Sequence, residues 1–261
     1  MEKIILNNTK IEGNVIFNPP WTPKKMSTLF WYDASDLSTI ASTGNEVTQV
    51  LDKSGNNYTL TRDGTNPGPN TRTRTLNGLN VFEWVGNNCL DNNSFTYNQV
   101  ATPLNIAMVI QIDTPINTQA FFLAGTNSSA TGQRMSSRVR ADDNFEVLGG
   151  SNTGVNIAMQ GGSSTRNQPY IIIPKFNSTS SAWRVNGTQT NTGNVGTNSF
   201  VNIQFGHNEI EGSDLTGYIA EVVGFSDNTK QEIIEGYLAW KWGLVEYLDS
   251  NHIYKTNRPI L

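Results

Sequence analysis

The sequence predicts an antiparallel β-sandwich closed by one C-terminal helix, and three observations lead there. Short apolar runs separated by Gly, Asn and Pro turns recur from residue 27 onward, with no helical period between them. Asn, Thr, Ser and Gly dominate the composition, with more than thirty asparagines, while the Ala, Leu, Glu and Lys that build helices are scarce. A single late segment, 230–242, places Ile233, Ile234, Tyr237, Leu238, Trp240 and Trp242 at helical spacing. Many strands and one heavily aromatic helix exclude an α/β sheet.

Taken in order, residues 1–25 read as an extended N-terminal arm. Ile4, Ile5 and Leu6, then Val15, Ile16 and Phe17, offer short apolar teeth, and the proline-rich 18–23 stretch cannot be helix. The remainder, 26–261, reads as one domain. Its expected strands are 29–32, 47–51, 58–62, 79–84, 106–112, 120–123, 135–140, 145–148, 170–176, 183–185, 201–206 and 218–225. Gly149-Gly150, the stretch from Gly161 to Thr165 and that from Thr190 to Gly196 read as loop tips. In the last strand strict alternation puts Tyr218, Ala220, Val222 and Gly224 on one face and Ile219, Glu221, Val223 and Phe225 on the other, so both faces are covered. The Ser226–Thr229 turn supplies capping oxygens, with Glu232 at capping-box spacing from Thr229. The helix with its caps spans 229–243, and Gly243 stops it. Its expected seat is a sheet edge or the sandwich end, with Trp31, Trp84, Trp240 and Trp242 in the core.

Composition bounds the function. Charged residues are 15% of the chain and the net charge is −4, which argues against nucleic acid as a partner. No apolar run approaches the roughly 20 residues that span a bilayer, and the N-terminus lacks a signal-peptide pattern. The lone Cys89 permits no internal disulfide. These features lead to an expectation of synthesis in the host cytoplasm with no membrane partner.

Several segments carry a resemblance. Trp31-Tyr-Asp-Ala-Ser-Asp36, Val50-Leu-Asp-Lys-Ser-Gly-Asn56, Asn77 to Leu90, Trp183-Arg-Val-Asn-Gly187, Asn202-Ile-Gln-Phe-Gly206 and Glu235-Gly-Tyr-Leu-Ala-Trp-Lys-Trp-Gly-Leu244 stand in an ordered set, followed by Leu248, His252, Tyr254 and Pro259. The set resembles the LamG-like jelly-roll branch of the concanavalin A-like lectin/glucanase superfamily, in the form appended to phage and bacterial surface proteins. The departures are Asp249 and Ile253, where prolines are common, and Glu83, where Asp is usual. The resemblance implies a jelly-roll fold and says little about function.

Catalytic chemistry finds little support. Hydrolytic members of that superfamily need two close carboxylates. Only Glu209, Glu211 and Asp214 come near the pattern, and a Gly-Ser turn interrupts them. Two histidines and no nucleophile elbow exclude an ordinary triad. His252 reads as a packed or capping residue, and His207 as a strand-end residue on a groove rim. Asp33, Asp36, Asp52 and Asn56 offer oxygens for calcium, although Asp-x-Ser-Gly-Asn also forms an Asx turn without metal. Arg134, Arg138, Arg140, Arg184, Asn186, His207 and Asn208 are the polar positions for a sugar-binding surface, or else a solvated sheet face.

The expectation is a non-enzymatic virion structural protein, a capsid decoration or a tail- or fibre-associated protein on the virion surface. Its lectin-like domain would bind cell-surface glycans in host adhesion. The 1–25 arm would fasten it to other virion proteins or to sister copies in a homo-oligomer. The alternatives are a carbohydrate-binding module of a bacterial surface system and a diverged glycanase.

Overall fold

The structure, a computed structural model, describes residues 5–6, 9–10, 19–62, 64, 66–113, 119–125, 134–151, 155–207 and 214–261. Among these, two antiparallel sheets stack face to face. The first sheet runs Thr188–Gly193, Ser181–Val185, Pro169–Phe176, Leu104–Ile112 and Thr216–Phe225. Its last edge is shared, because Phe82–Val85 pairs with the start of Thr216–Phe225 and Thr28–Asp33 with its end. The second sheet runs Val155–Ser163, Asn144–Ser151, Arg134–Val139, Gln119–Gly125, Ile203–Phe205, Leu90–Asn92, Leu60–Thr61, Glu46–Val50 and Ile40–Thr43. The expected antiparallel sandwich is the fold observed.

Alternation dictates the core. Phe30, Tyr32, Phe82, Trp84, Ile106, Met108, Ile110, Ile172 and Trp183 face inward and meet Val139, Phe145, Val147 and Phe205 of the second sheet. The aromatic pairs are mostly edge-on, as Phe145 is to Tyr170 and Phe176 to Phe200. Three polar stretches read as loop tips are strand instead. Gly149-Gly150 lies within Asn144–Ser151, Gly161-Gly162 within Val155–Ser163, and the start of the Thr190–Gly196 stretch within Thr188–Gly193. The strands Val155–Ser163 and Thr188–Gly193 are the edges of the two sheets. Their backbones and side chains meet, with Thr190 Oγ1 donating to Gly161 O at 2.5 Å and Asn191 Nδ2 to Gln160 O at 2.7 Å. Hydrogen bonding rather than apolar burial holds Thr188–Gly193, so periodicity does not reveal it, while Val155–Ser163 also buries Met159. Gly161 is required because a Cβ there would lie 2.3 Å from the Trp183 ring.

A third layer covers the outer face of the first sheet. The helix Gln231–Trp242 buries Ile234, Leu238, Ala239 and Trp242 against Val109, Ile171, Ile173, Ala220 and Val223. The helix therefore crosses a sheet face, not an edge or the sandwich end, because the central strands are apolar on both sides. The Asp227 carboxylate caps Thr229 N–H at 2.9 Å over a short 3-10 turn, Asn228–Lys230. The Thr229 hydroxyl also donates to Asp227, so the Thr229–Glu232 capping box does not form. Gly243 ends the helix at φ 71°, its N–H bonded to Ala239 O.

One irregularity sets what lies beneath the helix. Val109 pairs with Glu221 and Ile110 with Ile219, so Ala220 is an extra residue, a β-bulge. Ala220 and Glu221 consequently both point outward, and Val222 turns inward to the sandwich core. Strict alternation therefore holds on each side of the bulge but not across it, and the expected faces exchange from Glu221 onward. No helix among the described residues is long and apolar enough to cross a membrane.

Of the 1–25 arm, the described part from Pro19 packs on its own domain. Trp21 N–H donates to Pro259 O at 3.0 Å, Leu261 N–H to Pro19 O at 3.1 Å, and Pro20 pairs with Ile260. Ile5–Leu6 and Thr9–Lys10 pair with each other, whereas Ile4, Val15, Ile16 and Phe17 lie outside the described residues.

Leu238 is fully buried between helix and sheet. Leu238→Ala is expected to lower unfolding stability by about 2–5 kcal/mol, read as a fall in the urea midpoint at unchanged slope.

Candidate functional site

The outward-turned Glu221 organises the layer between sheet and helix. It is fully buried, and donors from the strand Thr28–Asp33 and from the helix converge on it. Trp31 Nε1 donates at 2.7 Å, Trp242 Nε1 at 2.8 Å, Tyr237 Oη at 2.9 Å and Lys241 Nζ at 2.7 Å. Lys241 also pairs with Asp33 at 2.7 Å, Asp33 with Lys53 at 2.8 Å, and Lys53 with Asp36 at 2.7 Å. Charges of alternating sign thus run from the buried centre to the surface. The helix contributes Tyr237 and Lys241 one turn apart, so both reach the same carboxylate.

Burial pushes the Glu221 carboxyl up, opposed by the Lys241 ammonium, reinforced by the Asp33 charge and again opposed by the Lys241 and Trp242 hydrogen bonds. Burial would also raise Asp33, but Lys241, Lys53 and Ser35 together hold it below the ordinary carboxylate range. Asp36 falls to about 2, chiefly through its hydrogen bond from Lys53. Tyr237 rises well above an ordinary phenol through burial and then through the charges of Glu221 and Asp33. For Lys53, burial acts downward, yet Asp33 and Asp36 raise it overall.

Of the oxygens expected for calcium, those of Asp33 and Asp36 are part of this chain of charges and do not fit the ion. The Lys53 ammonium stands between Asp33 and Asp36 where a cation would sit. Asp52 accepts from Trp31 N–H, Ser54 N–H, the Ser54 hydroxyl and Tyr58 N–H, a filled Asx turn. The Asn56 amide donates to Thr28 O and Leu29 O. No cluster of three metal-ligating acids, histidines or cysteines exists among the described residues.

The polar positions expected to bind sugar do not form one surface. Arg138 and Arg140 project together on the second sheet, as alternation with the buried Val139 requires. Both close on the buried Glu146, at 2.7 and 2.9 Å. Arg134 begins the same strand. Arg184 lies on the first sheet beneath the helix, its guanidinium bidentate on the buried Glu235 at 2.9 and 2.8 Å. Asn186 occupies a tight Asn-Gly hairpin turn at φ 49°, and its side chain accepts from Ile171 N–H at 2.9 Å. His252 is buried as expected. Its Nδ1 accepts from Tyr254 N–H at 3.2 Å, which leaves the proton on Nε2 facing Glu235 at 3.3 Å. His207 is buried rather than on a rim, paired with Asp214 at 2.5 Å. Asn208, Glu209 and Glu211 lie outside the described residues.

A surface opening lies beside the C-terminal half of the helix, above the Glu221 site. Trp21, Tyr237, Trp240 and Lys241 line a surface pocket of roughly 270 Å³ with Arg258 and Pro259. Trp21 stands edge-on to Tyr237 at 5.9 Å and 73°. Trp240 is 40% exposed and not in the core. It is nevertheless fixed, because its Nε1 donates to Tyr254 O at 2.9 Å. Tyr254 lies across Gly236, where a Cβ would come within 2.6 Å of it. Residue type does not distinguish Trp240 from its buried neighbour Trp242. Its place opposite Ile234, Leu238 and Trp242 on the helical wheel is the signal that would have found it.

Neither a protein-family model nor a curated protein matches this sequence. Solved structures do match in fold. The binding domain of botulinum neurotoxin serotype D aligns at a TM-score of 0.58 and 14% identity, covering 80% of this chain and 51% of that one. The binding domain of botulinum neurotoxin DC in complex with rat synaptotagmin II aligns at 0.59 and 14%, covering 81% and 52%. Trypanosoma rangeli sialidase in complex with sialic acid aligns at 0.52 and 13%, covering 81% and 33%. The chain thus spans about half the length of those neurotoxin domains. The class so defined is an antiparallel β-sandwich, and at such identity the likeness is one of fold.

Removing the Glu221 carboxylate strands two indole N–H groups and a phenol and leaves the Lys241 ammonium with Asp33 alone. Glu221→Ala is expected to cost about 3–5 kcal/mol in denaturant unfolding. On the alkaline side, groups raised in the folded state keep protons that the unfolded chain releases, so stability falls as pH rises. Tyr237, with an ordinary value of 10.0, and Lys53, at 10.5, both act this way. Denaturation midpoints are expected to drop above pH 10, and Tyr237→Phe to make that slope shallower by up to about 1.4 kcal/mol per pH unit. Asp33 and Asp36 act oppositely, their stabilisation being lost as pH falls below 3.8.

Proposed function

We propose that this protein is a non-enzymatic, glycan-binding β-sandwich, and that the Trp21–Trp240 pocket is where the sugar sits. The observation that carries the reading is Trp240, a rigid indole held half-exposed beside two further aromatic rings. Sugar rings present a flat C–H face that packs on such a surface, while hydroxyls seek the polar groups around it. Lectin-like sandwiches of this fold support the reading: the solved neighbours include a domain and an enzyme whose structures hold a protein receptor and sialic acid respectively. The absence of paired catalytic carboxylates from the sequence pattern favours binding without turnover.

The resemblance to LamG-like domains of phage proteins extends the proposal to a virion surface, with the 1–25 arm anchoring the sandwich to other virion proteins and the pocket used in host adhesion. The alternative, a module of a bacterial surface system, uses the same pocket. Recovery of the polypeptide from purified virions by mass spectrometry separates the two.

Binding to a glycan array is expected to fall at least about tenfold in Trp240→Ala and to be largely retained in Trp240→Phe, with the thermal midpoint little changed. Arg184→Ala, in contrast, is expected to lower stability, since it leaves the buried Glu235 with His252 alone. Binding undiminished in Trp240→Ala would remove the pocket from the reading.

A further inference from the structure

The charge of the pocket narrows the class of sugar it would hold. In a chain of net charge −4, its lining has two cations and no carboxylate. The two cations are not equivalent. Lys241 is committed beneath the pocket floor to Glu221 and Asp33. Arg258 is exposed, and it forms no ion pair or hydrogen bond with any described residue. That sets it apart from Arg62, Arg74, Arg138, Arg140, Arg166 and Arg184, each of which pairs with a carboxylate. The Trp21 indole likewise donates to no described residue, although its backbone N–H is fixed to Pro259. A planar guanidinium and an indole N–H, both donors, therefore line the same pocket as the exposed Trp240.

Neutral hydroxyls would leave a guanidinium unmatched, whereas a carboxylate or sulfate accepts two parallel N–H bonds from it. The volume, roughly 270 Å³, suits one sugar ring with such a substituent and not an extended chain. We propose that the pocket takes an anionic sugar residue, its ring stacked on Trp240 and its acidic group on Arg258. The proposal rests on the glycan-binding reading above and assigns its ligand class. Arg258 is the contact that reads the charge and Trp240 the contact that reads the ring. The Glu221 network positions both Tyr237 and Lys241 and so preforms the floor.

The test is an array on which each carboxylated or sulfated glycan is printed beside its neutral counterpart, probed with the full chain. The acidic members are expected to bind at least about tenfold more strongly at low ionic strength, with the difference shrinking as salt is raised. Arg258→Gln is expected to abolish the preference while leaving weak binding to both members, and Arg258→Lys to restore part of it. Carboxylated and sulfated members each support the proposal, and whichever binds names the acidic group. Equal binding of acidic and neutral members, or a preference unchanged in Arg258→Gln, overturns it. If that equal binding still disappears in Trp240→Ala, the glycan-binding reading stands without it. If no glycan binds, both fall together.

Discussion

A carboxylate sealed under a helix is tolerable only when its charge is met, and the organisation of the outer layer follows from how Glu221 is met. Isolated in an apolar interior the group would cost several kcal/mol. Here an ammonium, two indoles and a phenol satisfy it at 2.7–2.9 Å. Those donors come from the strand Thr28–Asp33 and from the helix, so one side chain fixes both against the strand Thr216–Phe225. The apolar contacts of Leu238 and Trp242 supply cohesion, and the directional bonds to Glu221 set rotation and register of the helix. The bulge at Ala220 makes this possible by turning two successive residues to the same side.

The same logic recurs where buried charge is needed elsewhere. Glu235 is held by Arg184 and His252, tying the helix and the C-terminal tail to the first sheet. Glu146 is held by Arg138 and Arg140 on the opposite sheet. In a chain with few charges, these clusters consume most of the guanidinium groups that a sugar surface was expected to use. Residue types suited to ligand binding are equally suited to joining layers, and burial of the partner decides between the two. Glu146 and Glu235 are buried, so their arginines serve the fold.

Much of the architecture was legible in the sequence. Apolar runs such as those around Ile106 and Ile171 mark central strands because burial on both faces demands continuous hydrophobicity. Gly243 marks the helix stop because φ 71° is open to glycine at little cost. The edge strand Thr188–Gly193 was illegible, since its polar side chains leave no apolar period, whereas Val155–Ser163 carries one at Val155, Ile157 and Met159 that the Gly-rich end at Gly161-Gly162 masked. Glu221 announces itself as a lone charge in an apolar strand, but its direction depends on a bulge that no local pattern encodes. Trp240 has the same residue type as Trp242 and lies two positions away, a rotation of about 200° that separates solvent from core.

What the sequence determined by itself is the layering: that the chain is mostly extended, where the central strands lie, which segment is helical and where it stops. These follow from side-chain period, turn chemistry and backbone limits, all of which act over a few residues. The pocket was decided only in three dimensions. Trp21 and Arg258 lie at opposite ends of the chain and meet because Pro19–Trp21 pairs with the tail at Pro259–Leu261. Period reveals that a side chain needs a partner but not which one, and the partner here depends on where the whole chain returns after folding.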